Sequence, residues 1–135
     1  MQQRLGLDPQ PSREMAVQKI LIVDDSETEI LVLSELLAAA GYSVSHAGTA
    51  ADAWNFLQTD RPDLILLDVV MPGVNGFEFT RQLQRTPRFA DLPIFLCSIK
   101  SLMSDRLWGL RQGAKGYFTK PVNTTALLSQ IQTLE

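Results

Sequence analysis

Five polar side chains in this 135-residue sequence stand at the ends of short, strand-like runs and together could carry out phosphoryl transfer. A carboxylate is able to attack phosphorus itself, while an amine and a hydroxyl stabilise the charge on the phosphoryl oxygens. Because each group follows a run that could form a strand, the five could meet at one edge of a sheet. These candidates are Asp24, Asp25, Asp68, Ser98 and Lys120.

The elements that must position these groups are four short apolar runs and one alternating run, which predict five strands. Apolar residues at helical spacing separate each strand from the next, and no hairpin signal joins two strands. This alternation predicts an α/β fold with a doubly wound five-stranded parallel sheet, helices on both faces and the flavodoxin-like strand order 2-1-3-4-5. The predicted strands are Ile20–Val23, Ser43–Ala47, Leu64–Asp68, Ile94–Cys97 and Gly116–Thr119.

Five helices are predicted, and three of them begin at side chains that accept hydrogen bonds from the first helical turn. In the fourth helix we expect Leu107 and Leu110 to face the core, while Gly109 weakens the helix by about 1 kcal/mol relative to Ala. The capping candidates and the remaining helix ranges are Ser26 or Asp25, Thr49, Asn123, Phe77–Gln84 and Leu102–Gln112.

The carboxyl ends of parallel strands share one edge, and the doubly wound order makes the first and third strands neighbours there. We therefore expect Asp24, Asp25 and Asp68 to lie close together, with Ser98 and Lys120 beside them. Two like charges 4 Å apart repel by about 4 kcal/mol at an effective dielectric near 20, so three carboxylates and one lysine favour a bound cation. Oxygen ligands suit Mg²⁺, and no histidine or cysteine cluster favours zinc.

The composition, with 45% hydrophobic residues, 20% charged residues and a net charge of −3, predicts one globular domain. This acidic balance argues against direct binding of nucleic acid. No apolar run approaches the roughly 18 residues of a membrane span, and no signal-peptide pattern is present, so we expect a cytoplasmic protein without membrane insertion. Residues 1–17 are predicted to be a flexible tail and residues 18–135 the domain.

From Lys19 to about Leu134 the sequence resembles the receiver domain of bacterial response regulators, the CheY-like family. Segments 20–25, 66–76 and 113–121, together with Ser98, carry the resemblance, and their order along the chain makes it specific. Residues 105–114 also resemble single-domain regulators of pilus-type chemotaxis systems.

The resemblance implies that Asp68 accepts a phosphoryl group from a histidine kinase, with Mg²⁺ as the cofactor. It further implies that Lys120 and Ser98 contact the phosphoryl group and that Ser98 and Tyr117 form a switch. The Lys120–Pro121 peptide bond is expected to be cis. The implied metal ligands are Asp24, Asp25 (the more direct of the two), Asp68 and the backbone carbonyl of Val70.

The function implied is a phosphorylation-dependent switch of a two-component system that changes its affinity for a downstream protein. No attached output domain is expected after residue 135, and no enzymatic activity is expected beyond self-catalysed phosphoryl acceptance and hydrolysis. Alternatives are a constitutive protein-interaction receiver module and a phosphatase of the haloacid-dehalogenase type. Phosphatases of this type carry an Asp-x-Asp motif after the first strand, whereas this chain has adjacent Asp24 and Asp25.

Simpler structural roles are also open to the same residues. Asp24 and Asp25 could only cap a helix, and Lys120 could be a surface lysine whose stem covers apolar groups. Ser98 could be an ordinary turn hydroxyl, and Tyr117 a half-buried strand aromatic. Matching placement at several strand ends favours the site over these separate explanations.

Overall fold

Five parallel strands form the centre of the computed structural model, which describes residues 17–134. The order across the sheet is second, first, third, fourth and fifth strand, which confirms the predicted doubly wound α/β fold. Of the predicted tail, residues 1–16 lie outside the described residues, and the side chain of Val17 is buried. The strands are β1 (Lys19–Val23), β2 (Ser43–Ala47), β3 (Leu64–Asp68), β4 (Ile94–Ser98) and β5 (Gly116–Thr119).

Helices follow the strands, and capping side chains begin most of them. Ser26, Thr49 and Asn123 each accept a hydrogen bond from a backbone amide of the first turn, as predicted. Asn75 does the same for the third helix and was not predicted. The helices are α1 (Glu27–Ala39), α2 (Ala50–Leu57), α3 (Gly76–Gln84), α4 (Met103–Arg111) and α5 (Thr124–Gln132), with a short 3-10 turn at Pro87–Phe89.

The core lies on both faces of the sheet because alternate residues of each strand point in opposite directions. In β1, Leu21 and Val23 pack with residues of α2 and α3, whereas Ile20 and Ile22 pack with residues of α1 and α5. All five residues of β3 are buried, as expected for a strand covered on both faces. The two layers therefore hold β3, and Asp68 at its end, in the middle of the domain.

The orientation of α4 differs from the prediction. Leu107 is 58% exposed and Leu110 is 43% exposed, so the expectation that both face the core was wrong. Gly109 faces the sheet instead, where a Cβ atom would lie 2.7 Å from Cδ1 of Leu96 and 3.0 Å from Cδ2 of Tyr117. The absence of a side chain at this position lets the helix approach the sheet closely.

As a result, α4 and the loop before it expose a group of large apolar side chains, which we call the α4 surface. The α4 surface accounts for most of the large hydrophobic residues that are exposed among residues 17–134. It consists of Ile99, Leu102, Met103, Leu107, Trp108 and Leu110.

Two further features complete the fold. The Lys120–Pro121 peptide bond is cis, as predicted. Among the described residues, each helix is too short or too polar to cross a lipid bilayer.

Candidate functional site

Three carboxylates meet at the edge of the sheet where β1 and β3 end. Asp24 follows β1 and is 3% exposed, and Asp68 ends β3 and is 6% exposed, whereas the neighbouring Asp25 is open to solvent. One carboxylate oxygen from each residue lies within 4.8 Å of the others. The pairing of β1 with β3 produces this proximity, since Val23 and Leu67 are register partners and the acidic residues come immediately after them.

Lys120 connects two of these carboxylates from the end of β5. Its Nζ atom lies 2.8 Å from Oδ2 of Asp24 and 3.5 Å from Oδ2 of Asp68, and the lysine side chain is only 11% exposed. Burial alone would lower the pKa of Lys120, but the hydrogen bond to Asp24 and the charges of Asp68 and Asp24 outweigh it and raise the pKa. Lys120 is therefore a fixed positive charge at the centre of the acidic group.

The pKa of Asp68 is raised to about 6, first because the carboxyl group is buried and second because Asp24 lies nearby. Lys120 and the backbone amide of Val70 act in the opposite direction but do not cancel these two effects. The carboxylate of Asp68 is thus ionised at neutral pH and remains short of compensating positive charge.

The loop after β3 approaches Asp68 closely. The Val70 amide donates to Oδ1 of Asp68 over 3.2 Å, and the Gly76 amide donates to the carbonyl oxygen of Val69 over 2.8 Å. A Cβ atom on Gly76 would lie 2.4 Å from the backbone oxygen of Asp68, so only glycine fits here without a shift of the backbone. The side chain of Val70 is exposed beside the carboxylates.

Ser98 and Tyr117 lie on the other side of the site and are connected through one loop residue. Ser98 is fully buried, and its Oγ atom accepts a hydrogen bond of 3.0 Å from the Lys100 amide. The hydroxyl of Tyr117 donates to the Lys100 carbonyl over 2.7 Å, and its ring is 5% exposed. Both side chains therefore contact the loop that leads from β4 to α4.

Residues 20–132 match the family model described as the response regulator receiver domain. The chain belongs to this family. PilH of Pseudomonas aeruginosa is 40% identical over 116 residues, which cover 86% of this chain and 96% of PilH. The response regulator PleD of Caulobacter vibrioides is 37% identical over 116 residues, but this chain covers only 26% of PleD.

Solved receiver-type structures have the same fold. The Vibrio cholerae chemotaxis protein CheY4 superposes with a TM-score of 0.81 at 32% identity, covering 88% of this chain and 99% of CheY4. The similarity to PilH is consistent with the resemblance of residues 105–114 to single-domain regulators of pilus-type chemotaxis systems. The homology and the shared topology place this receiver domain in two-component signalling.

The donor atoms of this receiver domain fit Mg²⁺. The three clustered side chains are carboxylates, and two of them are buried with one lysine as their nearest cation. Hard oxygen donors and uncompensated negative charge are the features that favour Mg²⁺, which typically binds one or two carboxylates and keeps several waters. Receiver domains typically bind this ion at such an acidic cluster.

One residue that contacts the Tyr117 side of the receiver site was not predicted from the sequence. The guanidinium of Arg106 donates to the backbone carbonyl of Tyr117 over 2.9 Å and lies 5.5 Å from the centre of its ring. This contact depends on which side of α4 faces the sheet, and the apolar residues of α4 predicted the wrong side. No local sequence signal identifies Arg106.

Proposed function

We propose that this receiver domain is a phosphorylation-dependent signalling switch of a two-component system, with Asp68 as the phosphoacceptor. The observation that carries the proposal is the position of Asp68, buried at the end of β3 between a second carboxylate and the ammonium of Lys120. The proposed phosphoryl donor is a histidine kinase, the proposed recipient of the signal is a downstream protein, and the proposed compartment is the cytoplasm.

In the proposed step, a carboxylate oxygen of Asp68 attacks the phosphorus of a phosphohistidine. The bond from phosphorus to the imidazole nitrogen breaks, and its electron pair returns to that nitrogen. The Lys120 ammonium stabilises negative charge on the transferred group, and the Ser98 hydroxyl donates to one of its oxygens. Because the pKa of Asp68 is about 6, its carboxylate is the main form at neutral pH and is available as the nucleophile.

The proposed ligands for Mg²⁺ are Asp24, Asp25, Asp68 and the backbone carbonyl of Val70. When bound, the ion neutralises carboxylate charge and polarises the phosphoryl oxygens. Asp24 already pairs with Lys120, whereas Asp25 is exposed, so Asp25 is the carboxylate with more freedom to coordinate directly.

The proposed output is a change in protein binding at the α4 surface. An exposed apolar group of this kind is typical of a protein-interaction site. The connection to the phosphoacceptor site is short, because Ile99 and Lys100 directly follow Ser98 and the Lys100 amide is bonded to its hydroxyl. A movement of Ser98 towards a phosphoryl oxygen would therefore shift the beginning of the α4 surface.

Intact-mass spectrometry after incubation with acetyl phosphate and Mg²⁺ tests the proposal. We expect the mass of one phosphoryl group to be added to the wild type, and little addition to Asp68→Asn or in the presence of EDTA. Asp91→Asn, which alters an exposed carboxylate, is the control and should behave like the wild type. An unmodified wild type, or equal modification of Asp68→Asn, would show that Asp68 is not the phosphoacceptor.

The same samples separate the switch from the two alternatives. A phosphatase of the haloacid-dehalogenase type would turn over p-nitrophenyl phosphate many times, whereas a switch would retain one phosphoryl group per chain. A constitutive interaction module would remain unmodified under all conditions.

A further inference from the structure

A continuous series of hydrogen bonds runs from Ser98 to α4. The Ser98 hydroxyl oxygen accepts from the Lys100 amide, and the Lys100 carbonyl accepts from the Tyr117 hydroxyl. The Tyr117 carbonyl then accepts from the side chain of Arg106, which belongs to α4. Because a serine hydroxyl has one donor and two acceptor positions, Ser98 is able to donate to a phosphoryl oxygen while it keeps the Lys100 amide.

Arg106 holds Tyr117 in two ways. Its guanidinium donates to the backbone carbonyl at 2.9 Å and lies 5.5 Å from the centre of the ring, a distance at which a cation attracts an aromatic face. Among residues 17–134, no carboxylate forms an ion pair with Arg106 that would compete for the guanidinium. The hydrogen bond and the cation–π contact of Arg106 are therefore both made with Tyr117.

Open space adjoins Tyr117. A groove of about 490 Å³ opens beside it between α4 and α5, lined by residues that include Arg106, Leu110 and Pro121. Tyr117 is itself one of the lining residues, but it is only 5% exposed, and a Cβ atom on Gly109 would lie 3.0 Å from Cδ2 of its ring. Arg106 both lines the groove and contacts the ring of Tyr117.

We propose that Arg106 is a positioning residue that holds the Tyr117 ring in its buried position before any phosphoryl group is present. The unphosphorylated protein then already populates the arrangement in which Ser98, the loop at Lys100 and α4 are connected. This inference deepens the proposed function and rests on it, because Tyr117 matters for signalling only if the α4 surface responds to phosphorylation. The position of the ring itself is measurable without phosphorylation.

Fluorine NMR of protein labelled with 3-fluorotyrosine tests this directly, because the chain contains only two tyrosines. The two signals are assigned with Tyr42→Phe, and the exposure of Tyr117 is measured by the broadening that a soluble gadolinium chelate causes. In Mg²⁺ without a phosphoryl donor, we expect a buried Tyr117 in the wild type. In Arg106→Gln the ratio of exposed to buried ring should rise about tenfold, the factor typical of losing one charge-assisted hydrogen bond.

Two further variants distinguish positioning from a general loss of structure. Arg106→Lys retains a charged donor but loses the planar guanidinium, so its ratio should lie between those of the wild type and Arg106→Gln. Arg111→Gln removes another arginine from the same helix and should leave the Tyr117 signal unchanged. The proposal is overturned if Tyr117 is as protected in Arg106→Gln as in the wild type, or if Arg111→Gln exposes the ring equally.

Acetyl phosphate is added last, so that failure of this inference is separate from failure of the proposed function. We expect Asp68 to be phosphorylated in both the wild type and Arg106→Gln. Before acetyl phosphate is added, the exposed fraction of the Tyr117 ring should be raised only in Arg106→Gln. Absence of phosphorylation in the wild type would overturn the proposed function, while the exposure of the ring before addition would still decide the role of Arg106.

Discussion

The Nζ atom of Lys120 lies 2.8 Å from Oδ2 of Asp24, so two residues 96 positions apart in the sequence form a buried ion pair. Asp24 also accepts a hydrogen bond from the Ser26 amide at the start of α1. The pair therefore connects the end of β5 with the end of β1. The pair stabilises the fold, and Lys120 also takes part in the proposed phosphoryl transfer. Substitutions should therefore affect stability and phosphorylation to different degrees.

Replacing Lys120 should destabilise the metal-free protein. In Lys120→Met the buried carboxylates of Asp24 and Asp68 lose their shared cation, and removing one partner of a buried pair leaves an uncompensated charge. We expect the free energy of unfolding at pH 7.5 in EDTA to fall by about 2–4 kcal/mol, measured by urea denaturation. Mg²⁺ should restore more stability to this variant than to the wild type.

Lys19→Met provides the matched control for Lys120→Met. Lys19 pairs with Asp60 at 2.7 Å, but the two side chains are 49% and 42% exposed, so solvent screens the pair. Its urea midpoint should remain close to that of the wild type. Equal losses in the two lysine variants would contradict a special role for the buried pair.

The stability of the metal-free protein should depend on pH through Asp68. Its pKa is about 6 in the folded protein against an ordinary value of 3.8, so between these values the folded state binds more protons than the unfolded state. The free energy of unfolding should therefore fall as pH rises from 4 to 6, by up to about 3 kcal/mol from this group.

Asp68→Asn should abolish the contribution of Asp68 to the pH dependence of the free energy of unfolding. The variant should be more stable than the wild type at pH 7.5, and the difference in stability should be smaller at pH 4.5. Urea denaturation in EDTA at both pH values measures the effect, and Asp91→Asn serves as an exposed control. A wild type that gains stability relative to Asp68→Asn as pH rises would show that the sign is wrong.

Asp25 and Asp24 should differ in their effects on metal binding and stability. Asp25 is exposed, so Asp25→Asn should weaken Mg²⁺ binding by at least about tenfold through loss of a charge, with little change in stability. Asp24→Asn should lower stability as well, because it removes the charged partner of Lys120. Magnesium titrations followed by amide NMR, together with urea denaturation, separate the two effects.

Gly109→Ala should destabilise the fold although alanine favours helices. The gain in helix propensity is about 1 kcal/mol, whereas the new Cβ would lie 2.7 Å from Cδ1 of the buried Leu96. Overpacking of this kind costs about 1–3 kcal/mol, so we expect a net loss of stability of up to about 2 kcal/mol by urea denaturation. Gly48→Ala, where a Cβ meets nothing within 4 Å, should change little.

The buried strands and the edge at which the site forms could be predicted because buried parallel strands are short apolar runs. A charged or hydroxyl side chain stands where β1, β3, β4 and β5 leave the sheet. Asp68 is the clearest case, since the run before it is fully buried. The caps Ser26, Thr49 and Asn123 were predictable for a similarly local reason, the preference of their side chains for amides of the first helical turn.

The orientation of α4 could not be predicted because apolar residues are distributed around much of this helix. Leu107 and Leu110 suggested an inward face, but Gly109 lies on the side that faces the sheet. Which side of α4 faces the sheet depends on contacts with Leu96 of β4, and the local sequence pattern does not contain that information. The contact of Arg106 with Tyr117 depends on the same orientation and was missed with it.

The burial of Cys97 has a practical consequence for experiments on this protein. The thiol is the only one in the chain, is 3% exposed and has its pKa raised to about 12 by burial, so it should resist alkylation while the fold is intact. Spectroscopic labels could then be attached to cysteines introduced at the surface without first replacing the natural one. Slow reaction of the unsubstituted protein with iodoacetamide would record how often the sheet opens.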